Sequence, residues 1–305
     1  MYLQHFSFAE TPFSLTPDTQ FFYAWQSHKA ALNTLLVALN NSEGFIKVVG
    51  EVGTGKTLLG RLLLKSLSPQ RFVTAYIPNP HLSPDELKLC LAQEIGVAVS
   101  DHVPAHQLTA LINSRLIELA QAGKQVVLIL DEAQTMPRKT IEALRLLTNL
   151  ETEKRKLLQI VMLGQPELDH MLARDDLRQL KQRIVFSETL KPLDFMGVRN
   201  YVAFRLHSSG AAHSQLFSLL ALWCLYQASQ GIPRLINILC HKALLSAYAA
   251  GKPSVDFACL RCAIADTSEA RWTGKLWCLQ FTGKWWWAYS LAGFSGFLLT
   301  LVGGR

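Results

Sequence analysis

The sequence predicts an α/β protein: a parallel five-stranded sheet with helices on both faces, followed by an all-helical region and a C-terminal hydrophobic helix. Three observations carry this expectation. Between Phe45 and Leu190, short apolar runs of strand length alternate with segments whose apolar residues recur at helical spacing. Within "KQVVLIL" the residues from Val126 to Leu130 are apolar without alternation, as a strand covered on both faces requires. After Pro192 strand-like runs cease and helical spacing continues alone.

The first forty residues hold a lead-in rich in proline and aromatic side chains, then "HKAALNTLLVAL", which reads as a helix. "GFIKVVG" is the first strand, and after a glycine-rich turn "KTLLGRLLLKSL" is a helix. "RFVTAYIPNP" is a second strand closed by Pro78 and Pro80. "SPDELKLCLAQEIG" begins with Ser83 as N-cap, Pro84 at the first helical position and Glu86 two further on, the pattern of a capping box. "LTALINSRLIELAQAG" is helical, "KQVVLILDEAQ" the third strand, "KTIEALRLLTNLE" helical and "LLQIVMLG" the fourth strand. "DDLRQLKQR" is helical and "IVFSETL" the fifth strand. Four helices follow: "FMGVRNYVAFRLHSSG", "SLLALWCLYQASQG", "PRLINILCHKALLSAYAAG" and "SVDFACLRCAIAD". The expected division is an α/β domain over 1–190, a helical lid domain over 191–267, a tether over 268–284 and an apolar helix over 285–302.

Half of the residues are apolar, ample for a core, and the charged fraction of 17% is low beside the quarter or so that is usual. A net charge of +7 suits nucleotide, nucleic acid or anionic lipid and separates none of them. The six cysteines stand in apolar or helical surroundings, not in the dense framework of a small secreted scaffold. Cys259 and Cys262 have a metal-like spacing, but no second pair completes a zinc set. The N-terminus has no basic segment followed by an apolar one, so the body is expected to stay in the cytoplasm.

The chemistry begins at "GEVGTGKT". Gly50, Glu51, Val52, Gly53, Thr54, Gly55, Lys56 and Thr57 satisfy G-x-x-x-x-G-K-[ST] at each fixed position, and Leu58 continues into the helix. The motif follows a strand and opens a helix, the context that gives it meaning. Glycines at 50, 53 and 55 let successive N–H groups turn toward phosphate oxygens, and the helix adds the positive end of its dipole. Lys56 supplies a charge for the β- and γ-phosphates, and the Thr57 hydroxyl a ligand for Mg²⁺. Further on, "VVLILDEAQ" places Asp131 at the carboxyl end of a buried strand, the edge where open α/β sheets bind ligands. A bare carboxylate there is costly, and Mg²⁺ held through Asp131 offsets that cost. Glu132 has the right type and place to orient and polarise an attacking water. Binding of ATP with Mg²⁺, and its hydrolysis, are the expected activities.

"PFSLTPDTQFFY", "GEVGTGKT", "LILDEAQ", "LRLLTNLETEKRKLLQIVMLGQPEL", "LRQLKQRI" and "GIPRLINILC" occur in this order. Together they resemble the AAA+ ATPases of the general secretion pathway protein A family over roughly residues 1–267. In length the chain resembles the member that serves biogenesis of the mannose-sensitive haemagglutinin (MSHA) pilus. The resemblance implies that Gln165 is the sensor-1 residue approaching the γ-phosphate. It implies that Arg183, or else Arg178, is an arginine finger for a neighbouring subunit's nucleotide, and that Arg234 is the sensor-2 arginine of the lid. Tyr23 and His28 fall where such proteins cradle the base. A finger given in trans implies a homo-oligomer with composite ATP sites. Family members carry a peptidoglycan-binding domain beyond a membrane span; this sequence stops three residues after Val302, so direct cell-wall contact is not expected.

Two roles follow. One is an assembly ATPase at the bacterial inner membrane, partnered by components of a type II secretion or MSHA-type pilus system. The other is a DNA-directed ATPase of the transposition type, with Lys154, Arg155 and Lys156 on phosphates; Glu151 and Glu153 beside them make a poor basic stripe. The tail favours the first. From Trp285 to Val302 there is no charge, and eighteen helical residues reach roughly 27 Å against a hydrocarbon core of ~30 Å. Trp285, Trp286, Trp287 and Tyr289 suit an aromatic belt, with Lys275 and Lys284 on the cytoplasmic side. The expectation is a single-pass span; an interfacial helix and a partner-binding helix are the alternatives.

Overall fold

Five strands, β1 (Phe45–Gly50), β2 (Phe72–Ile77), β3 (Gln125–Leu130), β4 (Leu158–Gly164) and β5 (Ile184–Leu190), form one sheet in the order β2-β3-β4-β1-β5. Every neighbouring pair is parallel. The computed structural model describes residues 2–16, 21–23, 25–98, 104–148, 156–211 and 216–270. These belong to one compact unit, Met1–Ala270. The expected tail at 285–302, most of the tether, and Lys154 and Arg155 lie outside the described residues.

The strands are apolar on both sides because helices cover both sides. On β3, Val126, Leu128 and Leu130 join one core cluster, while Val127 and Ile129 join the other. The first face is covered by α4 (Pro84–Glu94), α5 (Ala105–Gln121) and α6 (Arg138–Leu147). The second is covered by α2 (Gln26–Asn40) and α3 (Lys56–Ser66), which bury Leu35, Leu39, Leu59 and Leu63 completely. Each such leucine stabilises the fold by about 1.5–3 kcal/mol relative to an exposed one.

Local chemistry sets the ends of the helices. At α4 the Ser83 N–H donates to Glu86 Oε2 at 2.7 Å and the Glu86 N–H to Ser83 Oγ at 3.3 Å, the capping box expected from the sequence. A helix absent from that expectation, α7 (Pro166–Leu172), follows β4 directly. "DDLRQLKQR" is not one helix but a 3₁₀ turn, Asp175–Leu177, and the single-turn α8 (Arg178–Lys181).

Beyond β5 come α9 (Phe195–Ser208), α10 (Leu219–Ser229), α11 (Pro233–Ala249) and α12 (Phe257–Ala265), with one isolated parallel bridge, Phe217 to Val255. Asp194, Ser218 and Asp256 cap α9, α10 and α12 through their side chains. The turn between α10 and α11 requires glycine: Gly231 has φ 74°, and a Cβ there would lie 1.9 Å from the Leu193 carbonyl oxygen. The same turn accepts the Leu193 N–H at 2.9 Å, so the start of the helical region is tied to its own middle. The lead-in begins with the short helix α1 (Tyr2–His5), whose His5 Nε2 donates to the Lys252 carbonyl at 2.9 Å.

A candidate nucleotide site

The loop between β1 and α3 turns through Gly53 (φ 81°) and Gly55 (φ 99°), conformations that a side chain would strain. Gly53 is needed twice over, since a Cβ on it would lie 2.5 Å from Arg234 Cβ. Lys56, the first residue of α3, is buried, and its ammonium donates to the Gly50 carbonyl at 2.8 Å and the Glu51 carbonyl at 3.0 Å. Burial pulls its pKa down, opposed by Glu132, Asp131, Glu51 and Glu167. Thr54 is fully buried, its hydroxyl donating to the Glu51 carbonyl at 2.8 Å. His28 of α2 braces the loop from below: its Nε2 donates to the Thr54 carbonyl at 2.8 Å, and burial lowers its pKa.

Strand order decides what faces this loop. All strands are parallel, so their carboxyl ends share one edge, and β4 lies between β3 and β1. Asp131 and Glu132 follow β3, Gln165 follows β4, and the glycine-rich loop follows β1. Asp131 is 2% exposed. It accepts the Tyr76 hydroxyl at 3.2 Å and the Glu132 N–H at 3.0 Å. Burial first, and Asp131 second, push the Tyr76 phenol up to about 12, so it stays a donor. Glu132 sits at φ 52°, an uncommon conformation for a residue with a side chain. Its Oε2 accepts from Gln134 Nε2 at 2.6 Å and from Gln165 Nε2 at 2.9 Å.

A cavity of about 380 Å³ opens above the loop, lined by the loop itself, the lead-in and the helical region. Glu132, Lys56, Thr57, Tyr23, His28 and Arg234 all line it. The Arg234 side chain is exposed, and its backbone N–H donates to the Gly53 carbonyl at 3.2 Å. The far wall is apolar and aromatic, with Leu15, Phe21, Phe22 and Tyr23. Arg205 of α9 holds this wall in place. It is 5% exposed, donates Nε to the Pro12 carbonyl at 2.5 Å and Nη2 to the Ser14 carbonyl at 3.1 Å, and lies 4.4 Å from the centre of the Phe21 ring.

The structure thus brings Lys56, Thr57, Glu132 and Arg234 to one cavity and places Gln165 on the Glu132 carboxylate. Arg183 is elsewhere: its Nη1 donates to the Arg145 carbonyl and to Thr148 Oγ1, both at 3.2 Å, at the end of α6. Arg178 is exposed on α8. Sequence reasoning missed Arg205 and Gln134. Gln134 had a signal, its position two residues after Glu132 in the 3₁₀ turn Ala133–Thr135 that follows β3; Arg205 had none beyond an arginine on an otherwise apolar helical stripe. Among the described residues no group of three His, Cys, Asp or Glu side chains stands together as a metal site.

The residues present nevertheless fit Mg²⁺ held jointly with phosphates. Thr57 and Asp131 offer the hard oxygen donors that ion prefers. Asp131 keeps lone pairs beyond its two hydrogen bonds, on a carboxylate with almost no access to bulk water. Mg²⁺ there would neutralise charge on the phosphate oxygens.

Residues 39–172 match the AAA domain family. Over 304 residues, 96% of this chain, the sequence is 39% identical to general secretion pathway protein A of Aeromonas hydrophila, of which it spans 55%. The chain therefore covers about half the length of that relative. Among solved structures, the ORC1 protein of Aeropyrum pernix in complex with DNA is similar with a TM-score of 0.63 at 18% identity, over 84% of this chain and 69% of that one. The ORC2 protein of the same organism, in ADPNP-ADP complexes, gives 0.59 at 17% identity, over 82% and 69%. At such identities the likeness is one of fold. Sheet order, loop and strand-edge carboxylates agree with these likenesses: the chain carries a P-loop domain of AAA type over residues 39–172 and is similar along nearly all of its length to general secretion pathway protein A.

Proposed function

We propose that the chain binds ATP with Mg²⁺ and hydrolyses it, as an oligomer, to support assembly of a type II secretion or MSHA-type pilus system at the bacterial inner membrane. The observation that carries the chemistry is the meeting of Lys56, Thr57 and Glu132 at one cavity beside buried Asp131. In this reading the glycine-rich loop and Lys56 hold the β- and γ-phosphates, and Thr57 and Asp131 hold Mg²⁺. Glu132 takes a proton from the attacking water. Water oxygen bonds to the γ-phosphorus while the bridging P–O bond breaks, its electron pair leaving on the β-phosphate of ADP. Arg234 steadies charge from the helical side. The aromatic wall suits a purine ring.

The cellular role is supported by kinship to general secretion pathway protein A and by the uncharged stretch from Trp285 to Val302, which we read as a single-pass anchor with the ATPase body in the cytoplasm. ATP hydrolysis by the purified full chain tests the chemistry; no turnover with Mg-ATP would refute it. Fractionation of the full chain and of a version ending at Lys284 tests the anchor. The full chain should sediment with inner membranes and the shorter one should not; soluble behaviour of both would reject it.

A further inference from the structure

We propose that Gln134 is a positioning residue for hydrolysis: its side-chain amide holds one oxygen of Glu132 and ties it to the end of β4, leaving Oε1 as the oxygen that takes the proton from water. The inference rests on the reading of Glu132 as general base. Gln134 Nε2 donates to Glu132 Oε2 at 2.6 Å, and Gln134 Oε1 accepts the Gln165 N–H at 3.1 Å. The second bond fixes the first, because with its oxygen committed to that N–H the amide can present only its nitrogen to the carboxylate. Gln165 Nε2 adds a second donor to the same Oε2 at 2.9 Å. Among the described residues Oε1 has no hydrogen-bond partner, so its lone pairs stay available.

The surroundings are built for this clamp. The left-handed Glu132 backbone is held by Thr135, whose N–H and Oγ1 both donate to the Glu132 carbonyl at 2.9 Å. At the end of β4 there is Gly164; a Cβ on it would lie 3.3 Å from Gln134 Oε1 and 2.6 Å from Leu168 Cδ2. Glycine there gives the glutamine its room. Three residues from two strand ends thus act as one unit. A general base must meet its proton within hydrogen-bond reach, and a displacement of about 1 Å costs on the order of 10²-fold in rate.

The test compares the full-length wild type with Gln134→Met and Gln134→Glu, using Mg-ATP for turnover and a non-hydrolysable ATP analogue for binding. Methionine keeps the length and bulk of glutamine but neither hydrogen bond. We expect kcat to fall about 10- to 100-fold, with KM and analogue affinity within about twofold of wild type. In Gln134→Glu the new carboxylate repels Glu132 at neutral pH, but once protonated it can donate to Oε2 again. Its kcat relative to wild type should therefore rise as the pH falls. Lys56, Asp131, Tyr76 and Glu167 also face Glu132 or its neighbours, and all are present in the wild type against whose profile the variant is compared. Unchanged kcat in Gln134→Met, or analogue affinity lost in step with kcat, would overturn the inference. A wild type that does not hydrolyse ATP would overturn the hydrolytic reading and this inference with it; an active wild type with an unaffected Gln134→Met overturns this inference alone.

Discussion

Gln165 Nε2 donates to Glu132 Oε2 at 2.9 Å, joining residues that lie 33 positions apart in the chain. The contact exists because β4 lies between β3 and β1 in the sheet. The resemblance that gave Gln165 a sensor role placed it near the γ-phosphate. Its side chain is bonded to the carboxylate proposed to activate water, so any change at Gln165 is first felt by Glu132.

Substitution at the two ends of this site should separate binding from turnover. Lys56→Ala removes the buried ammonium beside the loop carbonyls and should abolish ATP binding. Glu132→Gln keeps the side chain's shape and an acceptor for one amide donor, but cannot take a proton. Its kcat should fall at least about 10²-fold, with ATP affinity held within about threefold of wild type. Equilibrium binding and single-turnover hydrolysis measure the two effects. Normal turnover in Glu132→Gln would remove Glu132 from the role of base.

The sheet and the phosphate loop were legible because their signals are local. Stretches such as "VVLIL" of β3 are apolar throughout, and "GEVGTGKT" needs glycine, lysine and threonine at fixed spacing. What was not legible depends on juxtaposition. Gln134 matters only once strand order sets β4 beside β3, and Arg205 only once α9 lies against Pro12 and Ser14. The seven residues of α7 are too few to show a period, and "DDLRQLKQR" shows one yet turns as 3₁₀ at Asp175–Leu177. The resemblance gave Arg183 to a neighbouring subunit's nucleotide; within its own chain its guanidinium donates to the carbonyl end of α6, a juxtaposition the sequence does not display, where a cation is favoured by the helix dipole.

Arg205 predicts a coupling between the lead-in and nucleotide affinity. Arg205→Met keeps an apolar stem but leaves the Pro12 and Ser14 carbonyls without their donor and removes the charge from the Phe21 ring. Stability should drop by about 2–4 kcal/mol, measured by urea unfolding. The aromatic wall would loosen, so KM for ATP should rise at least about fivefold while kcat changes little, since truncation far from the reacting atoms removes binding common to ground and transition states. A fall in kcat alone would contradict this.

His28 gives the loop a pH dependence with a defined sign. Its folded pKa lies below the ordinary value of 6.5, because burial penalises the imidazolium more than the bond to the Thr54 carbonyl favours it. The unfolded chain therefore binds the proton more readily, and stability falls as pH drops through 6.5 toward the lowered folded value, with no further contribution below it. His241, also lowered by burial, acts in the same direction. His28→Gln retains a donor for the Thr54 carbonyl and does not titrate. Thermal unfolding between about pH 7 and 5 should show a shallower loss for this variant than for wild type; equal slopes would exclude His28 as a contributor.

The two candidate fingers separate on their contacts. Arg183 bridges the Arg145 carbonyl and Thr148 Oγ1 within its own chain. Reaching a second subunit would break both bonds. Arg178 is exposed on the single-turn α8 and is the arginine we expect to act in trans. Arg178→Ala should lower turnover by at least about 10²-fold without weakening ATP binding. Mixing it with Lys56→Ala should restore part of the activity, because some interfaces then join an intact nucleotide loop from one variant to an intact Arg178 from the other. Arg183→Ala should instead lose stability by about 1–2 kcal/mol, and its defect should persist on mixing because the damage stays within each chain. Complementation by Arg183→Ala, and none by Arg178→Ala, would reverse the assignment.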